Sequence, residues 1–180
     1  MELITFDIEG PVLIKPRIFA DDRGYFYESF NEAAFKSNHL ETDFVQDNQS
    51  LSKKGTLRGL HFQNPPYEQG KLVRVINGSV MDVAVDIRKN SPTYGKHLLV
   101  TLTGENKLML WIPPGFAHGF ITLEDDTIFL YKCTNLYNKE SEGGIIWNDT
   151  DLNIDWGTDK PLVSEKDLLL PAFKDCDNRF

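Results

Sequence analysis

The sequence predicts an all-β protein that closes into a barrel or jelly roll. Short apolar runs of strand length recur at regular spacing through the middle of the chain, and tight-turn signals separate them. Only one clear helix pattern precedes them, EAAFKSNHL, which Asn31 can cap and which places Ala34 and Phe35 on one side. A second short helix is expected to begin near Ser164.

Three turn signals predict hairpins between consecutive strands. Asn77-Gly78 separates KLVRVI from SVMDVAVDI, and this dipeptide readily takes the positive φ angles that a type I′ turn requires. In the same way, residues 103–106 separate HLLVTL from KLMLWI, and residues 124–126 separate GFITL from TIFLYKCT. We therefore expect three hairpins in succession.

The register of the first hairpin groups charged side chains on one face. A two-residue turn would pair Lys71 with Ala84, and alternation would then place Asp82 and Asp86 within reach of the lysine. A solvated outer face with a surface ion pair would explain this group equally well. The opposite face favours a lined cavity instead, because it is apolar too, with Met81, Val83, Val85 and Ile87.

Length, charge and cysteine content restrict the function. The chain of 180 residues fits a single domain, 1–180, and its formal charge of -8 argues against binding to nucleic acid or to an anionic membrane surface. The sequence shows no signal-peptide pattern and no apolar run near the ~20 residues of a membrane span, so we expect a cytoplasmic protein. Cys133 and Cys176 are too few and too far apart for a disulfide framework, and free thiols are expected.

Two of the four histidines lie in informative motifs. His118, in PPGFAHGF, follows the P-x-G-x-x-H spacing of a second cupin motif. The first cupin motif normally carries H-x-H for metal binding, but here the corresponding residues are His61, Phe62 and Gln63. Losing one imidazole removes a good neutral nitrogen ligand, which argues against a tight transition-metal site.

Nine segments follow one another from near residue 10 to about residue 170: FADDRGYFYESF, FVQDNQS, LRGLHFQ, QGKLVRV, DVAVDIRKNSPTYG, IPPGFAHGF, LYKCTNLY, GGIIWNDTDLNIDW and LVSEKD. In this order they resemble the dTDP-4-dehydrorhamnose 3,5-epimerase family. The resemblance implies a cupin jelly roll (double-stranded β-helix) with a short N-terminal helix and short C-terminal helical segments. It also implies a homodimer, without metal or organic cofactor, that inverts C3 and C5 of dTDP-4-dehydro-6-deoxy-D-glucose on the way to dTDP-L-rhamnose.

The resemblance implies four catalytic residues. C3 and C5 flank the C4 ketone, so each inversion needs a base, an acid on the opposite face and a group that stabilises the enolate. His61 matches the base and Asp167 the carboxylate that orients it. Lys71 matches the cation beside the ketone oxygen, and Tyr131 matches the acid.

The residues alone leave other interpretations open for two of these positions. Asp167 is the fourth residue of Ser164-Glu165-Lys166-Asp167, which has the spacing of a helix capping box. Tyr131, as a lone tyrosine on a strand, is typical of a core residue whose hydroxyl bonds to the backbone.

The resemblance also implies a set of binding residues for the nucleotide sugar. Arg58 poses a geometric problem, because strict alternation from His61 would direct it to the other face of its strand. Gly59 lies between them, and a bulge there could direct both side chains inward. Arg58, Lys71 and Arg23 would supply positive charge for a diphosphate. The implied binding residues are Arg23, Glu28, Gln46, Asn48, Arg58, His118, Glu142 and Lys166.

Other functions remain open on the sequence. Related enzymes on the same scaffold epimerise only C3 or only C5, or use other nucleotide sugars. A 3,4-ketoisomerase is less favoured, since those enzymes tend to carry H-x-H where this chain has His61-Phe62-Gln63. A non-catalytic or metal-dependent cupin is compatible with the fold alone.

Overall fold

A computed structural model describes all residues from 1 to 180 and is built almost entirely of strands. Two short α-helices, α1 (Glu32–Ser37) and α2 (Glu165–Leu168), and one 3₁₀ helix (Phe173–Asp175) accompany them. The strands are β1 (Glu2–Thr5), β2 (Val12–Lys15), β3 (Phe19–Asp21), β4 (Gly24–Phe26), β5 (Gln46–Ser52), β6 (Thr56–Gln63), β7 (Lys71–Asn77), β8 (Ser79–Asp86), β9 (His97–Thr103), β10 (Met109–Ile112), β11 (Phe116–Thr122), β12 (Thr127–Cys133), β13 (Glu142–Gly144) and β14 (Leu162–Val163).

The strands form two packed sheets, and this confirms the predicted jelly roll. The first sheet has the order β1-β2-β10-β7-β12-β5, and the second has the order β13-β6-β11-β8-β9, with β14 parallel to β6. Strands β3 and β4 form a separate hairpin. Apolar side chains from both sheets meet between them, among them Val73 and Val75 of β7 and Val80 and Ala84 of β8.

The prediction of three hairpins is wrong, because the two strands of each pair lie in different sheets. Strand β7 belongs to the first sheet and β8 to the second, and the same separation holds for β9 and β10 and for β11 and β12. Each turn therefore carries the chain across from one sheet to the other. At the first turn Gly78 takes a positive φ of 77° but Asn77 does not, so the type I′ geometry is absent.

The predicted face of β7 and β8 is nevertheless correct, because alternation along a strand does not depend on its partner. Lys71 pairs with Ile112 of β10 and with Cys133 of β12, rather than with Ala84. Lys71 and Asp82 still point into the space between the sheets, one from each side. They face each other across the barrel.

The outer faces of both sheets are covered as well. Val83 and Val85 of the second sheet, and Ile87 directly after β8, pack beneath the segment that contains Ile145 and Trp156. The outer face of the first sheet packs against α1 through a smaller cluster, which comprises Ile14, Phe35, Leu72, Met109 and Trp111. This covering explains why both faces of β8 are apolar.

The two α-helices begin where the sequence predicts. Asn31 Oδ1 accepts a hydrogen bond of 3.1 Å from the amide of Ala34, and Ser164 Oγ accepts one of 3.1 Å from the amide of Asp167. The first helix is shorter than its pattern and ends at Ser37. Neither helix has the length and apolar character needed to cross a bilayer.

A bulge at Gly59 confirms the explanation offered for Arg58. The pairing of β6 with β11 shifts between His61, which lies opposite His118, and Arg58, which lies opposite Phe120. Gly59 has a φ of 120°, and a Cβ there would lie 2.7 Å from the carbonyl oxygen of His118. Only glycine fits this close approach, and the extra residue directs Arg58 and His61 into one cavity.

Candidate active site

A cavity with two lobes opens between the sheets. The main lobe has a volume of about 590 Å³ and the adjoining side lobe about 400 Å³. Four residues line both lobes and so mark their junction: Asn48, His61, Lys71 and Tyr131. Ten of the twelve predicted site residues line one lobe or both: Gln46, Asn48, Arg58, His61, Lys71, His118, Tyr131, Glu142, Lys166 and Asp167.

His61 and Asp167 form a hydrogen-bonded pair on the wall of the main lobe. His61 Nε2 lies 2.7 Å from Asp167 Oδ1, and Asp167 Oδ2 accepts a bond of 3.3 Å from the amide of Gly59. Burial alone would raise the pKa of Asp167, but hydrogen bonds and the charge of His61 outweigh it and hold this pKa below its ordinary value. Since a carboxylate can only accept, Nε2 donates, and Nδ1 keeps the free lone pair.

Helix α2 explains how Asp167 reaches a histidine 106 residues away. Ser164 caps the helix by bonding the amide of Asp167, which is the local half of the capping-box interpretation. The carboxylate of Asp167 is left free to extend toward β6, while Leu162 and Val163 hold the segment beside that strand as β14. The same residue thus serves the helix with its backbone and His61 with its side chain.

Opposite this pair, Lys71 approaches a buried acid and imidazole. Asp82 is 0% exposed, and His118 Nε2 lies 2.9 Å and 3.1 Å from its two oxygens. Burial raises the pKa of Asp82 and lowers the pKa of His118, while each group partly opposes the shift of the other. Burial also lowers the pKa of Lys71, against the opposing attraction of Cys133 and Asp82. No protein acceptor bonds the ammonium of Lys71, so it can bind a ligand oxygen.

Asp86, which the predicted register also placed near Lys71, does not belong to the site. Its carboxylate accepts hydrogen bonds from Arg88, Ser91 and Thr93 at the end of β8. Burial opposes its ionisation, but these bonds lower the pKa of Asp86 to about 2. The residue therefore anchors the 88–93 turn.

Tyr131 points its ring into the junction of the lobes, and no protein group accepts a hydrogen bond from its hydroxyl. This arrangement differs from a core tyrosine tied to the backbone. Burial raises the pKa of Tyr131, and nearby Cys133 acts in the same direction. Its hydroxyl therefore keeps its proton and can donate it.

Polar side chains suited to a charged ligand surround these groups. Arg58 bonds only Ser52 Oγ, at 3.2 Å and 3.1 Å, and pairs with no carboxylate. Lys166 Nζ lies 2.6 Å from Glu142 Oε1, and Glu142 Oε2 accepts a 3.0 Å bond from the hydroxyl of Tyr137. The lysine and arginine supply local positive charge in an acidic chain.

Arg23 and Glu28 lie outside this cavity. Arg23 is exposed in the β3–β4 hairpin and pairs with Asp21 at 2.6 Å, and Glu28 accepts a 2.9 Å bond from Asn31. The hairpin exposes large apolar side chains, and Phe26 is 66% exposed. Within one chain, these two residues do not join the other ten.

Gln63 and Tyr137 line the side lobe although the sequence did not predict them as site residues. Loop geometry brings Tyr137 to this lobe, and only the structure shows the partners of Gln63. Asp82, which the alternation of β8 places on the same face as Lys71, reaches the site through its bond to His118. Nowhere in the chain do three His, Cys, Asp or Glu side chains come together as a metal cluster.

The cavity occurs in a chain that matches known epimerases over nearly its whole length. A family profile described as dTDP-4-dehydrorhamnose 3,5-epimerase matches residues 5–175. The dTDP-4-dehydrorhamnose 3,5-epimerase of Shigella flexneri is 51% identical over 178 residues, which cover 98% of each chain.

Solved structures agree with this match. A Legionella pneumophila 3,5-epimerase in complex with dTDP-4-keto-L-rhamnose superposes with a TM-score of 0.94 at 46% identity, covering 99% of this chain and 98% of that one. A 3'-monoepimerase from Streptomyces bikiniensis in complex with dTDP-quinovose gives a TM-score of 0.89 at 32% identity, covering 94% and 86%. By profile, sequence and fold, the chain belongs to the dTDP-4-dehydrorhamnose 3,5-epimerase family.

Proposed function

We propose that this protein is an isomerase that epimerises C3 and C5 of dTDP-4-dehydro-6-deoxy-D-glucose to give dTDP-4-dehydro-L-rhamnose, in dTDP-L-rhamnose biosynthesis. The observation that carries the proposal is the His61–Asp167 pair of 2.7 Å in a cavity that Lys71 and Tyr131 also line. The similarity to an enzyme that binds dTDP-4-keto-L-rhamnose supports the substrate class.

His61 takes the proton from carbon. The C4 ketone acidifies the neighbouring C–H bonds, and Nδ1 of His61 is the nitrogen free to accept a proton, because Nε2 donates to Asp167. The lowered pKa of Asp167 keeps it anionic, so it stabilises the imidazolium that forms.

Lys71 stabilises the enolate, and Tyr131 returns the proton. The ammonium of Lys71 has no protein acceptor of its own, and its charge stabilises most when negative charge develops on the ketone oxygen. Tyr131 keeps its proton because burial raises its pKa, as an acid requires. Delivery to the face opposite His61 inverts the carbon.

Diphosphate binding falls to Arg58 and Lys166. Arg58 has unused guanidinium donors toward the main lobe, and Lys166 can exchange its contact with Glu142 for a phosphate oxygen. Gln46, Asn48 and His118 complete the polar wall. Both cysteines are free thiols, which suits a cytoplasmic enzyme.

A homodimer would bring Arg23 and Glu28 to a substrate. Both lie outside the cavity of their own chain, on or beside a hairpin whose exposed Phe19, Tyr25 and Phe26 suit burial against a second copy. Co-expression of Arg23→Ala with His61→Asn tests this: a mixed dimer with shared sites has one intact site and regains activity. Two inactive parents that yield an inactive mixture, despite mixed dimers in solution, would show that Arg23 does not act in the partner's site.

The alternative of a single-carbon epimerase is favoured by one observation, the similarity to a 3'-monoepimerase. Incubation with dTDP-4-dehydro-6-deoxy-D-glucose in deuterated water separates the two. We expect deuterium at both C3 and C5, with inverted product. Label at one carbon alone would indicate the monoepimerase, and no label at all would leave a non-catalytic binder.

Replacement of the base provides the matching control. His61→Asn should lose exchange at both carbons together, by roughly 10²–10⁴-fold, the usual range for removal of a general base. His39→Asn is the matched variant, because His39 is exposed and has a φ of 58° that asparagine tolerates. Exchange retained at one carbon in His61→Asn would mean that a second base exists.

A further inference from the structure

Gln63 occupies the place where a cupin metal site would have its second histidine, and it is not an inert replacement. It lies two residues beyond His61 at the end of β6 and is 5% exposed. All of its amide groups are used: Nε2 donates to the carbonyls of Tyr67 and Leu136, at 2.5 Å and 3.2 Å, and Oε1 accepts a 2.8 Å bond from the amide of Asn138.

These bonds hold a segment that has little other support. The backbone of residues 135–137 makes no hydrogen bond to any other backbone group. Three glutamine side chains supply hydrogen-bond partners instead, and Gln63 is the first. Gln46 accepts a bond of 3.0 Å from the amide of Tyr137, and Gln69 donates one of 2.7 Å to the carbonyl of Asn135. Leu136 and Tyr137 are exposed, so apolar packing contributes little to the position of the segment.

The segment forms one wall of the side lobe. Tyr137 lines this lobe and bonds Glu142, which in turn pairs with Lys166 on α2. A displacement of residues 136–138 would therefore move the tyrosine ring and release the Glu142 contact. The groups at the reacting carbons, His61 and Lys71, lie on strands and would keep their positions.

We infer that Gln63 is a positioning residue, which sets the side-lobe wall through the backbone on both sides of Tyr137 and so determines substrate affinity. Only an amide fits, because it offers two donors and one acceptor, whereas a neutral imidazole offers one of each. The inference rests on the proposed function, since affinity is measured on the epimerase substrate.

Steady-state kinetics of Gln63→Met tests the role. Methionine keeps the length and burial but removes all three bonds. We expect KM to rise about tenfold while kcat stays within about threefold, because the lost bonds act on binding and not on the reacting carbons. Asn178→Leu is the matched control: Asn178 is 3% exposed and bonds the carbonyl of Ile87, away from the cavity, so its loss should move stability but not KM.

A double-mutant cycle with Tyr137→Ala shows whether Gln63 acts through the tyrosine. If it does, Gln63→Met should raise KM little further in the Tyr137→Ala background. Multiplicative effects, or an unchanged KM in folded Gln63→Met, would overturn the inference. If Gln63→Met is insoluble, Gln63→Glu decides, because it keeps the acceptor for Asn138 but turns a carboxylate toward two carbonyls.

The outcomes remain separable from those of the proposed function. A wild-type protein without turnover would contradict the epimerase proposal. An active wild type whose KM is unchanged in the Gln63 variants would contradict only the proposed role of Gln63. Insolubility of both Gln63 variants, where Asn178→Leu folds, would make Gln63 a folding residue and would also overturn the inference.

Discussion

Asp167→Asn should do more damage than the loss of one charge. Two donors converge on the buried carboxylate, His61 Nε2 at 2.7 Å and the amide of Gly59 at 3.3 Å. An asparagine side chain keeps only one acceptor oxygen and replaces the other with an NH₂ group, so it can satisfy only one of these two donors. If its oxygen faces Gly59, its NH₂ faces His61 Nε2 and drives the ring proton to Nδ1, which removes the lone pair that serves as the base.

The size of the effect follows from these contacts. The opposite orientation keeps the correct tautomer but sets two buried donors against each other, which costs about 1–3 kcal/mol and leaves roughly one molecule in five to one in 150 with a competent base. Loss of the carboxylate opposite the imidazolium removes a charged hydrogen bond worth about 1.5–3 kcal/mol, which slows proton exchange by a further factor of roughly 10 to 150. Together they predict a fall of about 10²–10⁴-fold in proton exchange.

The assay is the rate of deuterium incorporation at C3 and C5, followed by nuclear magnetic resonance. Glu165→Gln, an exposed change in the same short helix, is the control and should exchange at the wild-type rate. Both carbons should slow together in Asp167→Asn, because exchange at each depends on the same tautomer of His61. A fall of less than tenfold, or slowing at one carbon only, would refute the tautomer argument.

Three further outcomes follow from the site. Tyr131→Phe should wash deuterium into unreacted substrate while forming little inverted sugar, because His61 can return an exchanged proton to the face it came from; inversion near the wild-type rate would remove Tyr131 from the mechanism. Activity should fall on the alkaline side at a pH below the ordinary lysine pKa of 10.5, because burial lowers the pKa of Lys71 and its charge is lost as pH rises through that lowered value; a pH profile of kcat that stays flat to 10.5 would contradict this. Chelator treatment should leave turnover unchanged, because Gln63 stands in place of a ligand histidine; one tightly bound transition metal per chain, found by elemental analysis, would overturn that expectation.

The sequence predicts which face of a sheet a side chain occupies better than it predicts which strands pair with each other. Alternation along β7 and β8 directs Lys71 and Asp82 inward whichever strands flank them, and that prediction is correct. The pairing is wrong because a turn signal such as Asn77-Gly78 marks a reversal of the chain without distinguishing a hairpin from a crossing between sheets. Pairing with strands that are distant in the sequence decides that choice, and local patterns do not encode it.

Within the site, too, local sequence patterns predict some features and not the contacts between distant residues. Gly59 allowed a bulge to be predicted, because a glycine between two polar residues of one strand is a local signal. The contact between His61 and Asp167 spans 106 residues, and it became predictable only through the family resemblance. The segment around Tyr137 could not be predicted, since its position depends on three glutamine side chains from elsewhere in the fold.

The long sequence separation between His61 and Asp167 also has a consequence for synthesis. The four proposed catalytic side chains appear in the order His61, Lys71, Tyr131 and Asp167, and at 5–20 residues per second a ribosome needs roughly 5–20 s to pass from the first to the last. During that interval the imidazole is present without the carboxylate that fixes its tautomer. A nascent chain stalled before residue 167 should therefore exchange protons far more slowly than the complete chain, even if its two sheets have already closed.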